Sequence, residues 1–150
     1  MAKFNFELQP ILGFKEQIES QRELEFAKIL ALVAKEKETL KGFYAEKDIS
    51  IKKFKGEIVS EKLFPENFIQ LNNYIEHLKK AIERQKDVIM KAEIILEQKR
   101  QALIEASKER KTLDKLKENK FEEFKFFEKQ GEQKIIDEVV SYKHSVKEVN

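Results

Sequence analysis

The chain has 150 residues, and 30 Lys and Arg stand against 28 Asp and Glu, so the net charge of +2 is close to balance. A nearly balanced charge gives no strong positive field, and we therefore expect no nucleic-acid partner. Charged residues make up 39 % of the chain, with only four Gly and two Pro, which is typical of long solvated helices rather than of a compact core. The absence of cysteine excludes disulfides and thiolate metal sites.

The N-terminal stretch 1–10 carries Glu7 and Gln9 where a signal peptide would have its apolar region. No run in the chain approaches the roughly 18 apolar residues that a membrane-spanning helix requires. We therefore expect a soluble cytoplasmic protein with no direct membrane insertion.

The first predicted helix covers about residues 9–58, because Pro10 is tolerated in the first helical turn. Its apolar residues recur at the spacings of one helix face: Ile11, Ile18, Phe26, Ile29, Val33, Leu40 and Tyr44. Steps of eleven residues join Ile18, Ile29 and Leu40, which indicates a period of about 3.67 residues and a rather straight helix. Residues 59–66 form the predicted turn, because Pro65 disfavours helical geometry in the residue before it.

The second predicted helix covers about residues 67–145 and carries two apolar rows with a seven-residue step. The first row, row a, is Phe68, Ile75, Ile82, Ile89, Leu96 and Leu103, and the second, row d, includes Leu71, Leu78, Ala92, Ala106 and Leu113. Such rows are the contact positions of a coiled coil, and a helix this long needs a partner to bury them.

Folding the two helices back on each other supplies that partner within the chain. Pairs whose residue numbers sum to roughly 125 bring Val33 beside Ala92 and Phe4 near Phe121. The sequence therefore predicts an all-α fold, a long antiparallel two-helix coiled-coil hairpin that forms a single domain over residues 1–150. Beyond about residue 121 the second helix has no first-helix residue beside it, and this C-terminal overhang carries a further apolar stripe of Ile135, Val139, Tyr142 and Val146.

Residues with catalytic or metal-binding chemistry are not arranged into a site. The glycines are isolated, and carboxylate pairs such as Glu122 with Glu123 lie on an exposed helix where nothing shifts their proton affinity for acid–base work. We interpret His77 and His144 as side chains at the solvated surface or at the edge of the contact between the helices. The sequence predicts no enzyme activity, no cofactor and no metal site.

The run 109–118, with Phe121, Phe124 and the charged residues of 132–138 after it, resembles the C-terminal signature of the flagellar export protein FliJ family. The stretches 4–12 and 74–85 also resemble that family, and the likeness spans nearly the whole chain. The resemblance implies a non-enzymatic stalk and adaptor of the flagellar type III protein export apparatus. It further implies insertion into the hexameric flagellar export ATPase ring, docking on the export gate membrane protein and a role with flagellar export chaperones. The expected localisation is cytoplasmic, peripheral on the cytoplasmic face of the cell membrane.

The family pattern, carried over to this sequence, implies two sets of binding residues. The set implied for the ATPase ring is Arg110, Lys111, Leu113, Leu116, Lys117, Glu132, Lys134, Asp137 and Glu138. The set implied for the export gate is Phe43, Tyr44, Tyr74, Leu78, Ala81 and Gln85.

Two other classes of protein share this type of sequence. A holdase-type coiled-coil chaperone would bind unfolded clients through exposed apolar residues at its tips. A self-associating structural coiled coil would use the stripe 135–146 to form a dimer.

Overall fold

A computed structural model describes residues 2–60 and 65–149 of the chain. It contains two long helices, α1 (Gln9–Val59) and α2 (Pro65–Val149), and no strand among the described residues. The two helices pack against each other, so the predicted all-α hairpin is confirmed. Residues 61–64 of the predicted turn 59–66 lie outside the described residues.

Local signals explain where the helices begin and end. At the start of α1, the Gln9 N–H donates to the carbonyl of Phe6 at 3.0 Å, and Pro10 follows at a position where no backbone donor is needed. At its end, the Ser60 N–H donates to the carbonyl of Gly56, and the Ser60 hydroxyl donates to the carbonyl of Glu57. Pro65 opens α2 for the same reason that Pro10 suits α1.

Contacts divide the chain into two units, one made of residues up to Glu19 with residues from Glu105 onward, and the other of Ser20–Ile104. The core of the Ser20–Ile104 unit is a buried cluster of Val33, Ala92 and Leu96, against which Phe26 and Ile29 pack. In the other unit Leu12 and Ala106 are buried. Whether residues 1–150 form a single domain stays a prediction.

Cross-helix pairs follow the predicted antiparallel register in each unit. In the Ser20–Ile104 unit the pairs are Phe54 with Phe68, Glu36 with Gln85 and Glu25 with Lys99. In the other unit they are Glu19 with Arg110 and Phe4 with Phe121. The residue numbers of each pair sum to roughly 125, as predicted.

The contact face of α1 differs from the one that apolar spacing predicts. Ile11, Tyr44 and Ile58 are exposed, whereas Leu12, next to Ile11, is only 1 % exposed. Most of the buried and half-buried residues of α1 fall on two seven-residue rows, which we call the α1 seam rows: Leu12, Glu19, Phe26, Val33, Leu40, Lys47 and Phe54, and Lys15, Arg22, Ile29, Glu36, Phe43, Ser50 and Glu57. Gly13, Ile18, Glu25 and Ile51 are also half-buried but lie outside these rows. Of the predicted apolar face, Ile11 and Tyr44 are exposed, whereas Ile18, Phe26, Ile29, Val33 and Leu40 are buried or half-buried. The seam rows as a whole were not predicted, because half of their residues are polar and an apolar pattern does not detect them.

Replacement of adjacent residues tests this assignment. Leu12→Ala should lower the free energy of unfolding by about 2–5 kcal/mol, since it opens a cavity at a fully buried site. Ile11→Ala, one residue away, should cost less than about 1 kcal/mol because the side chain is nearly half exposed. Urea denaturation followed by circular dichroism measures both losses. A larger loss for Ile11→Ala than for Leu12→Ala would contradict the assignment of Leu12, and not Ile11, to the contact face.

Candidate interaction surfaces

Arg110, the first residue of the set implied for the ATPase ring, lies in the contact between the helices. Its guanidinium donates to the carboxylate of Glu19 on α1 and to that of Asp114 on its own helix. The bond to Glu19, followed by that to Asp114, raises the pKa of Arg110 further above its ordinary value. Beside it, Lys15 pairs with Glu109 at 2.8 Å. Arg110 therefore holds the two helices together in this structure.

The other residues of that set fall into two groups on α2. Leu113, Leu116 and Lys117 are half-buried, and Lys111 is exposed, in the part of α2 that pairs with the start of α1. The second group lies in the last part of α2 and is fully exposed: Glu132, Lys134, Asp137 and Glu138.

Every residue from Lys125 to Val149 is exposed, and we call this part of α2 the C-terminal segment. Its exposed apolar side chains are Phe126, Phe127, Ile135, Ile136, Val139, Val140, Tyr142, Val146 and Val149. Polar side chains on the same segment bond only locally, as when Gln133 donates to Asp137 at 3.2 Å. A solvated helix with so many apolar side chains is typical of a surface that a binding partner covers.

The N-terminal residues before α1 pack on α2 through an aromatic cluster. The ring of Phe4 lies 5.2 Å from that of Phe121 and 5.6 Å from that of Phe124, and Phe6 is buried. These contacts confirm the predicted neighbourhood of Phe4 and Phe121. A cleft of about 550 Å³ lies between these N-terminal residues and α2, with Leu116, Lys120 and Phe127 on its α2 side. The C-terminal segment therefore begins beside an aromatic cluster that the residues before α1, rather than α1 itself, form with α2.

The set implied for the export gate is not brought together on one face. Leu78 is 2 % exposed and fills its row d position. Gln85 donates its amide to the carbonyl of Glu36 at 2.9 Å and to the Glu36 carboxylate, and Phe43 lies in an α1 seam row. All three side chains are taken up by the contact between the helices.

The remaining three gate residues lie on two opposite flanks of the paired helices. Tyr74 donates its hydroxyl to Glu46 at 3.0 Å, and this bond raises the pKa of Tyr74. Ala81 is half-buried and lies seven residues after Tyr74, in the α2 row next to the seam. We call the side of the paired helices that carries Tyr74 and Ala81 the Tyr74 flank. On the other flank, Lys86 lies 5.9 Å from the centre of the Tyr44 ring, and we call it the Lys86 flank. A single partner face can contact Tyr74 and Ala81 together, but not Tyr44 with them.

Sequence reasoning missed the acidic partners of these residues. Glu19, Glu36 and Glu46 each accept a hydrogen bond from a residue of α2 that was itself singled out. The available signal was that each of these glutamates lies a multiple of seven residues from another α1 residue of the same seam row or flank. Apolar periodicity did not detect it because carboxylates do not contribute to an apolar pattern.

Glu25 is the centre of a further charged group across the helices. Lys99 donates to its carboxylate at 3.3 Å and Arg22 at 3.2 Å. Lys99, and then Arg22, hold the pKa of Glu25 below its ordinary value. Polar residues at row d positions, here Lys99 and Gln85, specify which layers of a coiled coil can pair.

Elsewhere in the described residues, no helix is long and apolar enough to cross a membrane. Residues 2–60 and 65–149 also contain no cluster of three metal-ligating side chains. The surfaces available for chemistry are thus the outer faces of the helices. The fold and these surfaces define an α-helical hairpin whose exposed faces are suited to protein contacts.

Comparison with known proteins agrees with this class. The family model described as Flagellar FliJ protein matches residues 4–148, and the chain belongs to this family. The family is a component of the flagellar export apparatus and contains no known enzyme. No curated protein and no solved structure matches the chain.

The lowered pKa of Glu25 predicts a pH-dependent contribution to stability. A carboxylate whose pKa is lower in the folded state stabilises the fold above its unfolded pKa, and the contribution is lost as pH falls through the folded value. Glu25→Gln should therefore destabilise the protein at neutral pH, and the difference from wild type should vanish in acid. Urea unfolding between about pH 7 and pH 3 measures this difference.

Glu23→Gln provides the control, because it makes the same chemical change at an exposed position two residues away. An equal, pH-independent loss in both variants would contradict the role of the Lys99 and Arg22 contacts.

Proposed function

We propose that this chain is a non-enzymatic stalk and adaptor of the flagellar export apparatus, whose C-terminal segment docks on the hexameric export ATPase. The observation that carries the proposal is the exposure of the whole stretch Lys125–Val149 in a member of this family. Nine large apolar side chains on a charged helix expose a large apolar surface to water, which is unfavourable. A protein partner would bury that surface.

Charge on the C-terminal segment would orient the contact. Both signs of charge alternate along this segment, and the acidic pair Asp137 and Glu138 precedes the basic residues Lys143 and Lys147. Complementary charge sets the direction in which a partner docks and speeds the encounter. In this proposal the apolar side chains provide affinity, and the charged ones provide orientation.

Coupling to the ATPase would follow from symmetry. One chain inside a ring of six identical subunits can contact them only unequally, so its contact favours some subunit states over others. Because any ligand that binds two states unequally shifts their populations, the stalk would bias the nucleotide state or the assembly of the ring. The chain itself needs no catalytic group for this role.

The second contact in this proposal is with the export gate, through Tyr74 and Ala81 on the Tyr74 flank. These two residues are accessible side by side, whereas Leu78, Gln85 and Phe43 support them from within the seam. Export chaperones would bind the same adaptor, and the chain would act in the cytoplasm, at the cytoplasmic face of the cell membrane.

Paired substitutions on the C-terminal segment test ring docking. Ile135→Asp with Val139→Asp should weaken co-sedimentation with the hexameric export ATPase, and stimulation of its ATP hydrolysis, by at least about tenfold. The control, Gln130→Asp with Ser141→Asp, adds the same charge at exposed polar positions and should retain binding. Unchanged binding by the first pair, or after removal of residues 121–150, would refute ring docking.

The two alternative classes predict different results from the same preparations. A holdase would suppress light scattering by an aggregating client without forming a complex with the ATPase. A self-associating coiled coil would sediment as a dimer at high concentration, and Ile135→Asp with Val139→Asp would return it to a monomer.

A further inference from the structure

The Tyr74 flank of α2 carries an apolar row that the contact with α1 does not use. The row lies one position before row a and repeats every seven residues: Tyr74, Ala81, Val88, Ile95 and Ala102. Val88 and Ile95 are 44 % and 42 % exposed, although both lie beside the buried residues Ile89 and Leu96. Two-stranded coiled coils normally place charged residues at this position, so an apolar row there indicates a further helix contact.

The Lys86 flank is organised differently and provides an internal comparison. Its row on α2 is charged at every step from Lys79 to Arg100. Glu93 pairs with Lys37 at 3.2 Å, and the Arg100 guanidinium lies 5.7 Å from the centre of the Phe26 ring. On that flank α2 side chains thus contact partners on α1, whereas Val88 and Ile95 of the Tyr74 flank remain exposed.

The opposite wall of this apolar row is supplied by α1. Leu32 is 42 % exposed and lies two seven-residue steps before Glu46, the residue that accepts the hydroxyl of Tyr74. Residues spaced by seven share one face of a paired helix, so Leu32 lies on the same flank as Val88 and Ile95. Leu32, Val88 and Ile95 therefore lie along one flank between the helices; we call this apolar strip the flank groove and these three residues its floor.

Both rims of the flank groove are basic. Lys28 and Lys35 follow Glu25 and Leu32 by three residues on α1, and Arg84 and Lys91 follow Ala81 and Val88 by three residues on α2. Residues three apart are neighbours on a helix surface, so these four cations border the floor. Within residues 2–60 and 65–149 none of the four belongs to an ion pair, although twelve such pairs occur there.

We propose that the flank groove binds an acidic amphipathic helix of a partner protein. Apolar side chains of that helix would cover Leu32, Val88 and Ile95, and its flanking Glu or Asp residues would pair with the four rim cations. The floor of the groove lies further along α2 than Tyr74 and Ala81, and the proposal does not rest on docking to the ring or to the gate.

A designed peptide tests the proposal directly. The probe is an amphipathic helix of about 22 residues, equal in length to the stretch 81–102, with Leu on one face and Glu on its flanks. A second peptide has Lys in place of each Glu. Fluorescence anisotropy with the full chain should show binding of the Glu peptide and at least about tenfold weaker binding of the Lys peptide.

Substitutions then locate the binding site on the chain. Ile95→Glu should weaken binding of the Glu peptide by at least about tenfold, whereas Ile94→Glu, more exposed and on the outer face of α2, should not. Lys35→Glu with Lys91→Glu should abolish the preference for the Glu peptide, since the two new carboxylates balance Lys28 and Arg84. The control Lys41→Glu with Lys80→Glu should retain the original preference. Circular dichroism establishes that each variant keeps its helices.

Several results would overturn the proposal: no binding of the Glu peptide, equal binding of both peptides, or an equal effect of Ile94→Glu. Dimerisation of the wild-type chain that Ile95→Glu abolishes would show that a second copy covers the groove. The ring-binding assay distinguishes the two proposals, because Ile95→Glu should leave ATPase co-sedimentation unchanged.

Discussion

The seven-residue match between α1 and α2 is the constraint on which the rest of the structure depends. Neither helix can remain stable alone in water over this length, because helical stability comes mainly from burying one face. The match buries Leu12, Val33 and Leu96 and also aligns polar layers, such as Glu36 with Gln85 and Glu25 with Lys99. Apolar layers supply most of the free energy, and polar layers exclude shifted registers because a shift would leave charged groups without partners.

The register determines which surfaces remain for binding. Because α1 begins at Gln9 and pairs antiparallel with α2, it can cover α2 only as far as the aromatic cluster around Phe4 and Phe121. The C-terminal segment therefore stays exposed, which is why we propose it as the ring-docking surface. The same register leaves Val88 and Ile95 exposed, while on the Lys86 flank an ion pair between Lys37 and Glu93 and the contact of Lys86 with the Tyr44 ring join the helices. Binding surfaces thus arise from a stable pairing that does not use all the apolar residues of α2.

The sequence predicted the fold and the register because the contact rows of α2 are almost purely apolar from Phe68 to Leu113. It predicted only the apolar part of the face of α1 and missed its polar part, where Lys15, Glu19, Arg22, Glu36 and Lys47 occupy seam positions. These side chains act through ion pairs or through their aliphatic stems, and neither contribution is visible to an apolar pattern. The exposed C-terminal segment followed from arithmetic on helix lengths. The division of the gate residues between the seam and two flanks did not follow from the sequence. Rows that lie side by side around a helix differ by only a few tens of degrees in direction, so the actual contacts are needed to assign a residue to the seam or to a flank.

Cysteine cross-linking tests the central claim, that one antiparallel register joins the helices, most directly. The chain has no cysteine of its own, so introduced pairs are the only thiols. Val33→Cys with Ala92→Cys should form an intramolecular disulfide rapidly under mild oxidation, since both residues belong to one buried cluster. The pairs shifted by one heptad, Val33→Cys with Gln85→Cys and Val33→Cys with Lys99→Cys, should not, because about 10 Å of helix separates their layers. Comparable disulfide formation in a shifted pair would contradict the single register.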